Sequence, residues 1–178
     1  MQNWFIATAP FSPADPEKWT SYVQWSGFTH LDEVVSLDSI LCPTVLPVIK
    51  DEYWPHIVNE DYLLDYFIDL DFLLEQVSGM KPVNVLCVCR NPTGAPPPQA
   101  GFEFLGYDLV EVRGGVSALT NCRGFSGVFE GSELSPKGLL LSHARALEVQ
   151  TQLRTQYPEE PHTDCDVWAI SRMVENTN

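Results

Sequence analysis

The sequence predicts an α+β fold: a mixed or mostly antiparallel sheet of about four to six strands with two main helices. Three observations carry this. Apolar runs of strand length recur at 3–9, 82–90, 102–112 and 165–174. Apolar residues fall at helical spacing over 60–77 and 142–157. Pro- and Gly-rich stretches separate these segments. The chain has 178 residues, 44% of them hydrophobic and 11% aromatic, enough for a packed core and read as one globular domain over 1–178.

Taken in order, NWFIATA (3–9) reads as an opening strand, and PFSPADPEKW as a connection punctuated by three prolines. Asp15 before Pro16 predicts a capped helix running to about Trp25, with Glu17 in its first turn. HLDEVVSLDSILCPTVL allows a strand or a short helix from Glu33 to Cys42, ended by Pro43. Asn59 is an N-cap candidate for a helix from Glu60 to Val77 that stops at Ser78-Gly79. PVNVLCVCR (82–90) is the clearest buried strand, in which Cys87 and Cys89 behave as small hydrophobes. NPTGAPPPQAG (91–101) is a loop, and FEFLGYDLVEV (102–112) alternates as a strand expected to pair antiparallel with the one before it. The glycines of 117–138 predict loop and turns. Ser142 caps a helix that carries Ala146, Val149, Leu153 and Tyr157 on one face and ends before Pro158. In 165–174, Val167, Ala169, Ser171 and Met173 alternate against Trp168, Ile170 and Arg172, the pattern of a last strand.

The stretch NEDYLLDYFIDLDFLLEQV (59–77) holds six acids and no Lys or Arg. On a helix, Asp61, Asp65 and Asp69 would be like-charged neighbours, as would Asp71 and Glu75, at a cost of a few tenths of a kcal/mol per pair. Leu64, Ile68 and Phe72 would form an apolar line between those carboxylates. Interfaces often have such an apolar centre and polar rim. The expected partner-binding residues are therefore Asp61, Leu64, Asp65, Ile68, Asp69, Asp71, Phe72 and Glu75, with packing under the protein's own loop 91–101 as the structural alternative. Upstream, Tyr53 and Trp54 are of the types that anchor interfaces and are equally ordinary core residues.

Charge is unevenly placed. Net charge is −14, and residues 1–80 hold 13 acids against Lys18 and Lys50 alone, whereas 81–178 hold 11 acids and eight bases. Such a field repels nucleic acid and anionic membranes and steers a basic partner inward. No run approaches the roughly 18–20 apolar residues of a membrane span. The N-terminal stretch lacks a basic n-region, and the five cysteines are odd in number without staple spacing. A cytoplasmic location is expected.

Catalytic motifs are weak. G-x-S-x-G, H-E-x-x-H, Walker A and C-x-x-C are all absent, and the RGG at 113–115 lacks a phosphate-loop context. EEPHTDCD (159–166) gathers Glu159, Glu160, His162, Asp164, Cys165 and Asp166, which reads first as a solvated turn. It also allows a metal site or a Cys165–His162 pair. Carboxylate metal chemistry at Asp61 and Asp65 finds no His at ligand spacing, and His30, His56 and His143 stand alone. No catalytic residue, metal ligand or cofactor is assigned.

Four phrases carry a resemblance: WSGFTHLDEVVSLDSILCPTVL (25–46), FEFLGYDLVEV (102–112), SALTNCRGF (117–125) and YPEEPHTDCDVWAISR (157–172). Together they resemble a group of small uncharacterised bacterial cytosolic proteins, a resemblance that covers most of the chain and implies no catalytic residues. In size and charge alone the chain is similar to immunity proteins that neutralise a toxin. The expected function is an acidic binding protein that occludes a basic site on a protein partner, such as a toxin domain. The alternative is a small enzyme or a small-molecule- or metal-binding protein built on loops 117–131 and 159–166, with His162, Asp164 and Asn121 lining a pocket.

Overall fold

A computed structural model describes residues 1–46, 49–61, 63–112, 115–122, 125 and 127–174. Tyr62 of the acidic stretch, Arg113 and Gly114 of the RGG, and Arg123, Gly124 and Ser126 of the 117–131 loop lie outside these. The fold is α+β. Four antiparallel strands, β1 (Trp4–Thr8), β2 (Asn84–Arg90), β3 (Phe102–Glu111) and β4 (Cys165–Met173), lie in the order β1-β2-β4-β3. Among the described residues three α-helices accompany them: α1 (Pro16–Ser26), α2 (Leu70–Gln76) and α3 (His143–Gln156). No helix among the described residues is long and apolar enough to cross a membrane.

The two-residue period of the strands sorts side chains onto two faces. One face carries Phe5, Ala7, Val85, Cys87, Cys89, Leu109, Val167 and Ala169. Leu73 and Val77 at the end of α2 cover its β1 side, and Ala146, Val149 and Leu153 of α3 cover its β3 side. Leu73, Val149 and Leu153 are fully buried, each worth roughly 1.5–3 kcal/mol. The other face carries Trp4, Ile6, Leu86, Val88, Val110, Trp168 and Ile170, and is covered by irregular chain bearing Val35, Leu37, Val58, Leu63 and Tyr66. Helix α1 packs outside this layer through Tyr22, against Leu31, Val34 and Cys42.

Capping matches expectation at both ends of the chain. Asp15 Oδ1 accepts from the Lys18 backbone N–H (3.3 Å) and Ser142 Oγ from that of Arg145 (3.3 Å). Both sheet edges are closed by short neighbouring segments. Phe5 and Phe67 exchange backbone hydrogen bonds (2.8 and 2.7 Å) on the outside of β1. Tyr107 and Leu140 do so (2.8 and 3.0 Å) on the outside of β3. These bridges cover part of each edge strand and limit the ladder open to a second chain.

Three expectations are corrected. β3 does not pair with β2: β4 lies between them, and the turn-rich 91–101 loop carries the chain across that gap. Residues 33–42 form neither strand nor helix. Asp38 Oδ1 accepts from the backbone N–H of Ile40 and Leu41 (2.8 Å each), folding the chain into a side-chain-closed turn. The helix expected over 60–77 exists only as Leu70–Gln76, capped by Asp69, whose Oδ1 accepts from Phe72 N–H (3.1 Å), and not by Asn59. The chain turns at Asp61 (φ 49°). It then pairs with its neighbours: Val58 N–H donates to Tyr66 O (2.7 Å) and Ile68 N–H to His56 O (2.8 Å). Those bonds and the bridge to β1 outweigh a helix already weakened by its repeating carboxylates.

Candidate functional site

The irregular layer does not seal the sheet face beneath it. Between the two lies a cleft of about 790 Å³, lined by Ile6, Thr8, Leu37, Asp61, Leu63, Leu64, Asp65, Tyr66, Arg90, Glu111, Asp166 and Trp168, among others. Its polar residues arise where a charge interrupts the apolar rhythm of a strand. Arg90 ends β2, and Asp166 follows Cys165 at the start of β4. Arg90 Nε donates to Asp166 Oδ2 (2.6 Å) and Nη1 to Asp61 Oδ2 (2.8 Å). Asn91 Nδ2 donates to the other oxygen of Asp166 (2.8 Å). This guanidinium ties the turn at Asp61 to the sheet.

The aromatic wall is Tyr66 stacked on Trp168, with ring centres 5.2 Å apart and planes 16° apart, and Trp4 set edge-on to Tyr66. Burial drives the Tyr66 phenol pKa upward, so it stays neutral at any ordinary pH. Two polar groups in the cleft lack a partner among the described residues. Thr8 is 1% exposed and its Oγ1 makes no hydrogen bond. Asp65 is half-buried, and burial raises its pKa. No hydrogen-bond or ion-pair partner reaches its carboxylate among the described residues. Among the described residues the cleft thus sets Asp61, Asp65, Glu111 and Asp166 against one guanidinium, Arg90. That excess, beside an aromatic wall, suits a cationic guest.

Two buried aspartates support the cleft wall from behind. Asp38 Oδ2 accepts from Ser117 N–H (2.8 Å) and Asn121 Nδ2 (3.0 Å), while Asp108 Oδ1 accepts from Ser117 Oγ (2.7 Å). Ser36 Oγ also donates to Asp108. Burial, aided by the Asp38 charge and opposed by the serine hydrogen bonds, pushes the Asp108 pKa up to about 6.

The eight residues expected at a partner surface divide into three groups. Asp61, Leu64 and Asp65 line the cleft. Asp69 caps α2 and its Oδ2 lies 3.1 Å from His56 Nδ1, and Phe72 stacks flat on the His56 ring at 3.8 Å while packing into the core. Ile68, Asp71 and Glu75 are exposed. The apolar line of Leu64, Ile68 and Phe72 does not form, because these residues share no helix: Leu64 and Phe72 pack against the core, and Ile68 remains 48% exposed. Tyr53 is core (2% exposed) and Trp54 is at the surface (48%).

Loops 117–131 and 159–166 do meet. They enclose a second cavity of about 370 Å³, lined by Asn121, Cys122, Phe125, Tyr157, Glu160, Pro161 and His162. Asp164 is not part of it and pairs with Arg154 at the surface (3.2 Å). Cys165 is fully buried in the core and makes no pair with His162. Among the described residues, no three His, Cys, Asp or Glu side chains are placed to hold a metal ion. Arg90, Thr8, Cys122 and Glu111 escape sequence reasoning, and Asp166, gathered there with His162 and Cys165, belongs to the cleft and not to their loop. The legible signal was the charge at the end of an apolar strand, for Arg90, Glu111 and Asp166; Thr8 and Cys122 carry none. Comparison of the chain with protein-family models, curated proteins and solved structures finds no match.

Proposed function

We propose that the protein binds a basic protein partner, one of whose Lys or Arg side chains enters the cleft and pairs with Asp65. The observation that carries this reading is Asp65 itself: a half-buried carboxylate, its pKa raised by burial, with no cation beside it among the described residues. An unpaired desolvated charge opposes the stability of the free protein, and a cation arriving there relieves it. The surroundings favour such a guest. Residues 51–75 hold eight acids and no Lys or Arg, and Trp54 and Ile68 stand exposed among them as apolar contacts. Size and charge are those of a toxin-neutralising immunity protein, an analogy that names one kind of basic partner.

The test is Asp65→Asn. The substitution removes the unpaired charge while keeping shape, so melting temperature should rise and partner affinity should fall at least tenfold. The assay is binding at low salt to basic proteins encoded beside this one, with Asp71→Asn/Glu75→Gln as the comparison. That pair should slow association and leave dissociation unchanged. Unchanged affinity for Asp65→Asn, or no binding to any such protein at low salt, would remove the proposal.

A further inference from the structure

Helix α1 packs inward through Tyr22 and leaves the neighbouring strip of its surface uncovered. Lys18, Ser21, Tyr22 and Trp25 follow one another at three- and four-residue spacing, so they share one face. That face forms one wall of a groove of about 640 Å³. Ile40 and Leu41, on the turn closed by Asp38, supply the other wall, and Phe11 also lines the groove. Asp15 and Glu17 line it at the start of α1. Both walls carry apolar surface open to solvent: Trp25 is 42% exposed and Ile40 68%. Single exposed apolar side chains are ordinary, but two on one groove form a patch of the kind that receives a partner.

Both walls are held in place before any partner arrives. Asp38 is fully buried, and its Oδ1 accepts from the backbone N–H of Ile40 and Leu41, while Cys42 N–H donates to Asp38 O (2.9 Å). Cys42 is itself 2% exposed and its Sγ donates to Val34 O (3.4 Å), which pins the far end of the turn in the core. On α1, the Tyr22 hydroxyl donates to Thr120 O (2.9 Å), and its ring meets Phe11 edge-on at 5.2 Å and Trp25 at 6.2 Å. Surfaces fixed in this way lose little conformational freedom on binding. The same turn separates the groove from the cleft: Leu37, Cys42 and Thr44 line the cleft, and Ile40 and Leu41 the groove. One partner can therefore engage both.

Charge and backbone chemistry decide the occupant. The Lys18 ammonium lies 3.2 Å from Asp15 Oδ2, whereas no cation pairs with the exposed Glu17 among the described residues. The groove thus has an acidic end, and Trp25 lies about 12 Å from Glu17 along α1 at 1.5 Å per residue. That polarity favours a segment with a Lys or Arg at one end and apolar side chains at the other. Among the described residues no edge of the sheet lines the groove, α1 bonds to itself, and the N–H groups of Ile40 and Leu41 are taken by Asp38. An extended strand would find little to pair with. A helix brings its backbone already bonded and inserts side chains at i, i+3 or i+4 and i+7.

We propose that this groove docks an amphipathic helix of the basic partner, with its apolar side chains between Trp25 and Ile40 and a Lys or Arg at Glu17. The proposal rests on the reading of a basic partner and adds a second contact to the one at Asp65. The cleft takes a charge, and the groove takes apolar surface with a charge at its end. Trp25 and Ile40 therefore govern how long the complex lasts, and Glu17 how fast it forms.

The experiment uses the full chain and a displayed library of helical peptides with randomised surface positions. Peptides are selected on wild-type protein at low salt and then measured against single variants. The expected result is enrichment of basic peptides whose apolar residues recur at helical spacing. Their affinity should fall at least tenfold in Trp25→Ala and in Ile40→Asp, through faster dissociation. Both side chains are exposed in the free protein, so an unchanged circular dichroism spectrum should accompany the loss. Glu17→Gln should slow association, and the difference should vanish at high salt. Asp65→Asn should leave these peptides unaffected. No enrichment, only acidic peptides, or only peptides that keep their affinity in both Trp25→Ala and Ile40→Asp would overturn the proposal. So would a dimer of the free chain that dissociates on Ile40→Asp, because a second copy would then cover the groove. A partner that loses affinity in Asp65→Asn and keeps it in Ile40→Asp would end this proposal and leave the binding reading standing.

Discussion

Asp108 is a carboxyl group that burial works against. It sits on β3 with no exposed surface, and no described Lys or Arg pairs with it. Its compensation is the hydrogen bonds from Ser36 Oγ, Ser117 Oγ and Leu109 N–H. Asp38 beside it accepts from three backbone N–H groups, those of Ile40, Leu41 and Ser117, and from Asn121 Nδ2, and its charge adds to the burden. A carboxyl whose folded pKa is about 6, against 3.8 for the free group, takes up a proton on folding between those values. Stability must therefore increase as pH falls from about 6 to about 4, by roughly 3 kcal/mol from this group alone. Asp108→Asn has no such proton to gain. Thermal melts at pH 7, 6 and 5 should show wild-type protein gaining on Asp108→Asn at each step down. Carboxylates that act the other way, such as Glu33 with Lys137 and Arg172, are common to both chains and cancel. A constant gap would mean that Asp108 is not the group titrating.

The edges of the sheet decide which elements can form. On the β3 side the strand bulges between Phe104 and Gly106, and the 139–140 segment closes on it so tightly that a Cβ at Gly106 would lie 2.7 Å from Leu140 O and 2.9 Å from Leu139 Cβ. The Gly106 φ of 145° excludes side chains in its own right. Gly106→Ala should therefore cost roughly 2–4 kcal/mol, seen as a lower urea midpoint. Gly94→Ala, in a loop with open space around it, should be close to neutral. The same edge logic explains what sequence reasoning could and could not see. Helices α1 and α3 were legible because Asp15 and Ser142 announce them and the buried residues of α3 fall at one spacing. β3 and β4 were legible from alternation, which also separates Val167 from Trp168, and β1 and β2 as apolar runs between turn residues. The 60–77 helix failed because its apolar residues satisfy two periods at once. Phe67 is needed in the bridge to Phe5, a long-range pairing that no local window contains. For that reason Leu64, Ile68 and Phe72 part company, while the cleft brings Asp61 and Asp65 of that stretch to Arg90 and Asp166 from other strands.

At the scale of the whole molecule, the distribution of charge matters more than any pair. Net charge is −14, and the described cations are largely committed: Arg90 to Asp61 and Asp166, Arg172 and Lys137 to Glu33, Arg145 to Glu133 and Glu148. The eight acids of 51–75 are answered by no Lys or Arg of their own stretch. Asp51, Glu60, Asp71 and Glu75 stand exposed, while the exposed Glu52 lies 3.8 Å from Lys50 Nζ, and like charges so crowded in one stretch repel. Self-repulsion of this kind opposes the compact state and is screened by salt, the Debye length shrinking from about 10 Å at 0.1 M to about 3 Å at 1 M. Melting temperature should thus climb with NaCl by a few degrees, on the order of 1 kcal/mol for a chain of this size. Equiosmolar sucrose stabilises through exclusion from the surface and not through screening. Only the salt effect should therefore shrink in Asp51→Asn/Glu52→Gln/Asp71→Asn/Glu75→Gln. Over the same salt range, association with a basic partner should slow, because the field that destabilises the free protein is the one that steers the partner in. A melting temperature that is flat or falls with NaCl would show the committed ion pairs outweighing the open acidic surface. Steering by that surface would then have no basis.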